Sequence, residues 1–365
     1  MSVLIFCEGP TQFLADNLSS FLLVSGVKCH THVIGNNANL VNEFKLFNQT
    51  DDRVVVLGCP LLAKLMPLLE EFFHKLPLEK ITLWNIDPVP LVYRQLCKFR
   101  FVNIIHGSEV CASLWSKIFH EHSTYVNGIY DSSNFPKSTI CNFATFRSNE
   151  IAFPINMYWG GHTLESFMHE IKKVKDNKLE KYGRELNELV SIPWQQSIIE
   201  SGLDPLNIRH QRGTMILHHL FSRAQLAKLF LSLNSGRKSQ INTSKNQLSY
   251  TQDSNSRRNN KFKQSNKSFL KSEYVFSTST QSVFHDRTAR AIVSGALVLE
   301  DQFSGYGTEF EKNGVEVVRY SKEGASINPE IFHQEYSERE EMFKKQLNCI
   351  KRVSERSNFS AFLKI

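Results

Sequence analysis

The chain has 365 residues, more than one hydrophobic core ordinarily organises, so two domains are expected. Its 41% hydrophobic and 22% charged residues fit a folded globular protein, and no run reaches the ~18 apolar residues that suggest a membrane span. Seven cysteines, an odd number with none close enough to pair as CxxC, argue against zinc fingers, dithiol redox sites and a disulfide framework. Reduced, buried thiols and a cytoplasmic location are the expectation. The formal charge of +7 is unevenly spread. Residues 237–271 hold nine Lys and Arg against one acid, Asp253, so that segment carries +8 and the remainder about −1.

In chain order, MSVLIFCEGP has no basic stretch before its apolar run and reads as a first strand, not a signal peptide. Phe13, Leu14, Leu18, Phe21 and Leu22 form one helical stripe that ends at Gly26. A second strand is expected near 28–34. The run 53–58, RVVVLG, is the clearest strand, followed by a helix to about Lys75 that contains Pro67. Strands at 80–86 and 101–105 follow, with Asp87-Pro88 and His106-Gly107-Ser108-Glu109 at their ends, and Ser108 is placed to cap a helix over 109–119. Further strands are expected at 124–127 and 139–146. This alternation predicts an α/β domain around a mostly parallel sheet, without the G-x-G-x-x-G fingerprint of a dinucleotide site. Ligands of such sheets sit beyond the carboxyl ends of the strands. That rule selects Glu8, Gly9, Thr11, Asp87, His106, Ser108 and Glu109. His106 and Asp87 are the candidate general bases, and a turn or cap role competes for both.

Residues 147–163 are irregular, and the domain boundary is placed there, at about 155, with a linker near 190 as the alternative. One long charged helix is expected over 164–189, another helix start at Pro193-Trp194, and a helix over 213–234. His218 and His219 are adjacent and face different ways, a poor metal pair. Residues 235–272 are Ser, Asn, Gln, Lys and Arg, an expected flexible insertion. Its charge suits an anionic membrane surface or a nucleic acid, and a neutral insertion is the third reading. Order resumes with the strand YVFS at 274–277 and a hydroxyl-rich loop through Ser279 and Thr280. A short helix ends at Ser294-Gly295, and the buried strand 296–299 ends in Glu300 and Asp301. A strand at 315–320 and charged helix over 328–357 complete the reading.

Residues 275–345 resemble the C-terminal domain of GT-B glycosyltransferases, especially the CgeB-like branch. The family pattern is Arg-x-x-Glu-Ala, a few residues, Gly, an apolar strand and Asp. Arg287, Ala291, Gly295 and Asp301 match it, and the family's Glu falls on Arg290. The resemblance implies two Rossmann-like α/β domains facing each other across a cleft: 1–155 for the acceptor, 156–345 for a nucleotide sugar, and 346–365 as a closing helix or tail. It implies a metal-independent transferase whose only cofactor-like molecule is the nucleotide-sugar donor, a co-substrate. A glycan, lipid or protein is the acceptor. Ser279, Thr280, Arg287, Arg290 and Asp301 are the expected donor-binding residues, because a helix N-terminus and a forked guanidinium favour a pyrophosphate. Work on polysaccharides at the inner face of a membrane would follow. A non-catalytic binding protein and another sugar-nucleotide enzyme are the rivals.

Overall fold

The computed structural model describes residues 2–34, 53–72, 78–127, 148–153, 162–233, 269, 272–278, 284–355 and 359–363. They fall into two compact units, 2–127 with 353–363, and 148–352. The expected strand at 139–146, Ser279, Thr280 and nearly all of the basic segment lie outside the described residues.

The first unit is α/β and Rossmann-like. Strands β1 (Ser2–Glu8), β2 (Lys28–Ile34), β3 (Arg53–Leu57), β4 (Ile81–Asn85), β5 (Asn103–His106) and β6 (Thr124–Tyr125) form one sheet in the order β2-β1-β3-β4-β5-β6. Every pairing is parallel. Helices α1 (Gln12–Val24), α2 (Cys59–Phe72), α3 (Val89–Lys98) and α4 (Glu109–Phe119) join them, and α2 runs through Pro67.

The two-residue period of the strands sorts their side chains onto two cores. Leu4, Phe6, Val54, Val56, Ile81 and Leu83 meet α2, α3 and α4 on one face. Val3, Ile5, Val55, Leu57, Trp84 and Ile105 meet α1 on the other. That second core is completed by Phe359 and Phe362 from a 3-10 turn at Phe359–Leu363, whose rings lie 6.0 and 5.2 Å from Trp84.

The second unit holds a smaller parallel sheet, β7 (Ser148–Ala152), β8 (Ser272–Ser277) and β9 (Leu297–Glu300), in that order. A parallel bridge from Asp301 to Val318 extends it. The expected boundary at 155 therefore falls after the first strand of this unit. Where the sequence reads as one helix over 164–189, three are present: α5 (Leu164–Lys173), α6 (Asn177–Arg184) and α7 (Leu186–Leu189). Lys175 adopts φ 53°, which no α-helix continues, and the Asp176 carboxylate accepts from Leu179 N at 3.1 Å to start the next helix. Helix α8 (Trp194–Glu200) precedes α9 (Ile208–Leu233), whose 26 residues are buried on several sides.

Helix α10 (Asp286–Val293) ends at Gly295, with φ 85° as expected of a helix stop. Helix α11 (Gly305–Lys312), the hairpin β10 (Arg319–Ser321) and β11 (Gly324–Ser326), and α12 (Tyr336–Glu355) follow. The expected strand at 315–320 is realised as the bridge at Val318 and β10. Among the described residues, no helix is long and apolar enough to cross a membrane.

Candidate functional site

Parallel strands deliver their ends, and the loops beyond them, to one edge of a sheet. Each unit has such an edge, and they differ in chemistry.

In the first unit, β4 ends at Asn85 and β5 at His106, which are hydrogen-bonded neighbours in the ladder. Their side chains share the face of α4. Asn85 Nδ2 donates to Asp87 O at 2.9 Å and lies 3.5 Å from His106 Nδ1. The His106 ring rests 5.6 Å from Trp115 and is 0% exposed. Burial lowers its pKa to about 4, so it is neutral at physiological pH. His106 Nε2 and Asn85 Oδ1 are buried without a hydrogen-bond partner among the described residues.

Asp87 is half-buried at the rim of the same edge. Burial, with the Asp87 carboxylate adding to it, pushes the Cys59 thiol up to about 12, which keeps that sulfur protonated. Ser108 caps α4 as the sequence suggests, accepting from Cys111 N at 3.3 Å. Glu8 is engaged by Lys64 at 2.5 Å.

In the second unit, β8 ends at Ser277-Thr278 and β9 at Glu300-Asp301. All four are buried. Asp301 Oδ2 accepts from Thr278 Oγ1 at 2.5 Å, and its Oδ1 accepts from Phe303 N at 2.8 Å and Ser304 N at 3.0 Å. The carboxylate thus shapes the turn that leads into α11. Thr288, on α10, exchanges a hydrogen bond with Ser277 at 2.9 Å and donates to Glu300. Burial, with the charge of Asp301 adding to it, pushes Glu300 up to about 7.

The positive side of this edge comes from two helices. His285 caps α10, its Nδ1 accepting from Arg287 N at 3.1 Å. Arg287 stands on the first turn of α10. One turn on, the Arg290 guanidinium lies 5.7 Å from the centre of the Phe269 ring, a cation–π contact. From α9 come His219 and Arg223, four residues apart, hence on one helix face, and both buried. Burial pulls Arg223 down to about 9, and the neighbouring charge of Arg287 acts in the same direction. His219 is held well below its usual value by burial, then by the charges of Arg223, His218, His285 and Arg287. Tyr320, on β10, is pushed up by burial and by Asp301.

Of the expected donor-binding residues, Arg287 and Asp301 stand at the carboxyl edge of the second unit; Arg290, in the last turn of α10, lies instead against Phe269, ahead of β8, and Ser279 and Thr280 lie outside the described residues. His106 and Asp87 share one edge of the first. Arg223, His219, Glu300 and Tyr320 were not singled out by sequence as site residues. Arg223 lies in a helical run of mixed character, LHHLFSRAQLAKLF, which gives no signal that separates it from the other polar residues there. Among the described residues, no group of three or more His, Cys, Asp or Glu is arranged to hold a metal ion. Comparison with protein-family models, with curated proteins and with solved structures finds no match to this chain.

Proposed function

We propose that the protein is a glycosyltransferase of the two-domain GT-B type. The second unit binds the nucleotide-sugar donor and the first receives the acceptor. One observation carries this reading. The carboxyl edge of a parallel sheet presents the first turn of α10, with Arg287 on it, and the charge of Arg287 is felt at Arg223 of α9. Anions bind at such helix starts, where the dipole and a forked donor act on the same charge.

Transfer of a glycosyl group breaks the bond between the anomeric carbon and the diphosphate oxygen. Negative charge grows on the leaving diphosphate. Arg287 would stabilise that charge as it develops, which lowers the barrier more than it tightens ground-state binding. Thr278, Thr288 and the turn held by Asp301 keep the edge in shape. In an inverting reaction the acceptor hydroxyl needs a base. Asp87, half-buried at its rim, has better access than His106, which is enclosed and neutral.

The test is a thermal-shift screen of the full chain against UDP-, GDP-, ADP-, CMP- and dTDP-sugars, on wild type and Arg287→Ala. Selective stabilisation by one donor, lost in the variant, is the expected result. No shift with any of them would count against the transferase.

A further inference from the structure

We infer that Asn85 and His106 form a receptor for one hydroxyl group, with His106 Nε2–H as its donor and Asn85 Oδ1 as its acceptor. The site belongs to the first unit and does not depend on the nucleotide-sugar reading of the second.

The backbone sets the two residues side by side. They are register partners across β4 and β5, so their side chains leave the sheet on the same face. Gly107 N donates to Asn85 O at 2.7 Å. A Cβ on Gly107 would meet Ile86 Cα at 3.0 Å and Asn85 O at 3.2 Å, so the close approach of the two strand ends calls for a glycine. Trp115, 5.6 Å from the His106 ring, braces it from α4.

Hydrogen-bond accounting then settles what each side chain offers. The Asp87 carbonyl only accepts, so the amide nitrogen of Asn85 must face it, at 2.9 Å. The same nitrogen lies 3.5 Å from His106 Nδ1. A proton on Nδ1 would set donor against donor there, so the neutral ring carries its proton on Nε2. That leaves one donor, His106 Nε2–H, and one acceptor, Asn85 Oδ1, both buried and both without a partner among the described residues. Each residue is 0% exposed. Unmatched polar atoms at that depth weaken a fold, and apolar side chains of similar size would close this core without them.

A hydroxyl answers both atoms, because its single oxygen accepts one hydrogen bond and donates another. A carbonyl only accepts, and an ammonium only donates. A carboxylate or phosphate anion brings no proton for Asn85 Oδ1, and it would meet a negative charge at this edge. A Cβ on Gly58, at the end of β3, would lie 4.0 Å from Asp87 Oδ2. The Asp87 charge is felt at Cys59 and Cys111, in the first turns of α2 and α4. The surroundings thus favour a neutral hydroxyl, which either water or an alcohol such as a sugar supplies.

The experiment is long-range proton–nitrogen correlation NMR on the full chain with nitrogen-labelled histidine, near neutral pH. The His106 signals are assigned by their loss in His106→Gln. The expected result is a proton on Nε2, protected from exchange and in contact with a hydroxyl. Titration with methyl glucoside and with glycerol separates the two sources. A saturable shift of His106 Nε2, weakened about fivefold in Asn85→Ala, assigns the site to an alcohol, the class of the proposed acceptor; fivefold is the scale of one neutral hydrogen bond. A contact with water that neither additive displaces assigns it to a held water. Either result supports the receptor.

A proton on Nδ1, an imidazolium, or an Nε2 proton that contacts neither water nor alcohol overturns the inference and leaves the donor site standing. Circular dichroism checks folding of the variants. Should Asn85→Ala not fold, the tautomer and the contacts of wild type decide.

Discussion

The carboxyl edges of the two sheets are built alike and furnished differently. In the first unit the central strands β4 and β5 end at Asn85 and His106, both enclosed, with His106 neutral, and the carboxylates Glu8 and Asp87 stand only partly buried beside them. In the second they are Glu300 and Asp301, set among hydroxyls, with Arg223 and Arg287 arriving from two helices. Enclosed neutral strand ends, with the carboxylates kept partly exposed, complete a fold at little electrostatic cost. An edge with buried charges of both signs is expensive to assemble, and stability alone does not call for it. The contrast teaches that strand ends alone do not make a site. What distinguishes the second edge is the convergence of groups from separate elements.

The largest effect should come from the turn that Asp301 holds. A Cβ on Gly307 would lie 1.8 Å from the Asp301 carbonyl oxygen, so Gly307→Ala must displace backbone. A loss of about 3 kcal/mol is expected in the second unit, read by urea unfolding. The first unit's counterpart, Gly107→Ala, meets Ile86 Cα at 3.0 Å and should cost about 1 kcal/mol. Equal losses would erase this part of the contrast.

Protons offer a sharper division. The folded pKa of Glu300 is raised to about 7, so the folded state binds the proton more tightly than the unfolded chain. Stability is unaffected below the ordinary carboxylate range, falls as pH rises through it toward 7, and stays reduced above. Glu300→Gln keeps the shape of the protonated acid. It should stabilise the protein at pH 8 by something on the order of 3 kcal/mol and change little at pH 4. A melting comparison at the two pH values checks it.

His106 has the opposite sign. Its folded pKa is depressed to about 4, so its contribution is intact above about 6.5 and is lost as pH falls toward 4. His106→Gln should reduce the acid sensitivity of the first unit by about the same amount. Hydrogen exchange in peptides covering 103–119 reports on that unit directly, and identical exchange in both proteins at pH 4.5 would contradict the assignment. The smallest effect is at the α4 cap. Ser108→Ala should cost about 1 kcal/mol in the first unit and leave anion binding in the second untouched.

Much of the first unit was legible in the sequence. Its strands are short apolar runs between turn residues, and Ser108 and Gly26 stand at helix ends as their chemistry predicts. The α/β class follows from that alternation. The three-way division of 164–189 was harder, because charged, helix-favouring residues continue across it and only Asp176-Asn177 hints at a cap. In the second unit Arg287 was found by its place near a helix start. Arg223 was not, because sequence reports the burial of a helix better than it reports which distant elements its polar residues meet. Glu300 read as the polar end of a strand, and its proton affinity depends on Asp301 and on enclosure that only the fold supplies.

The aromatic pair Phe359 and Phe362, which closes the core over Trp84, has a consequence in time. These residues leave the ribosome after every residue of the second unit. The first unit begins its sheet early but cannot finish its core until the second has been synthesised. The usual order, in which the domain nearest the start folds first and waits, does not fully apply. During synthesis the face of the sheet around Trp84 stays uncovered, and the nascent chain is more exposed to misassociation there than the finished protein is.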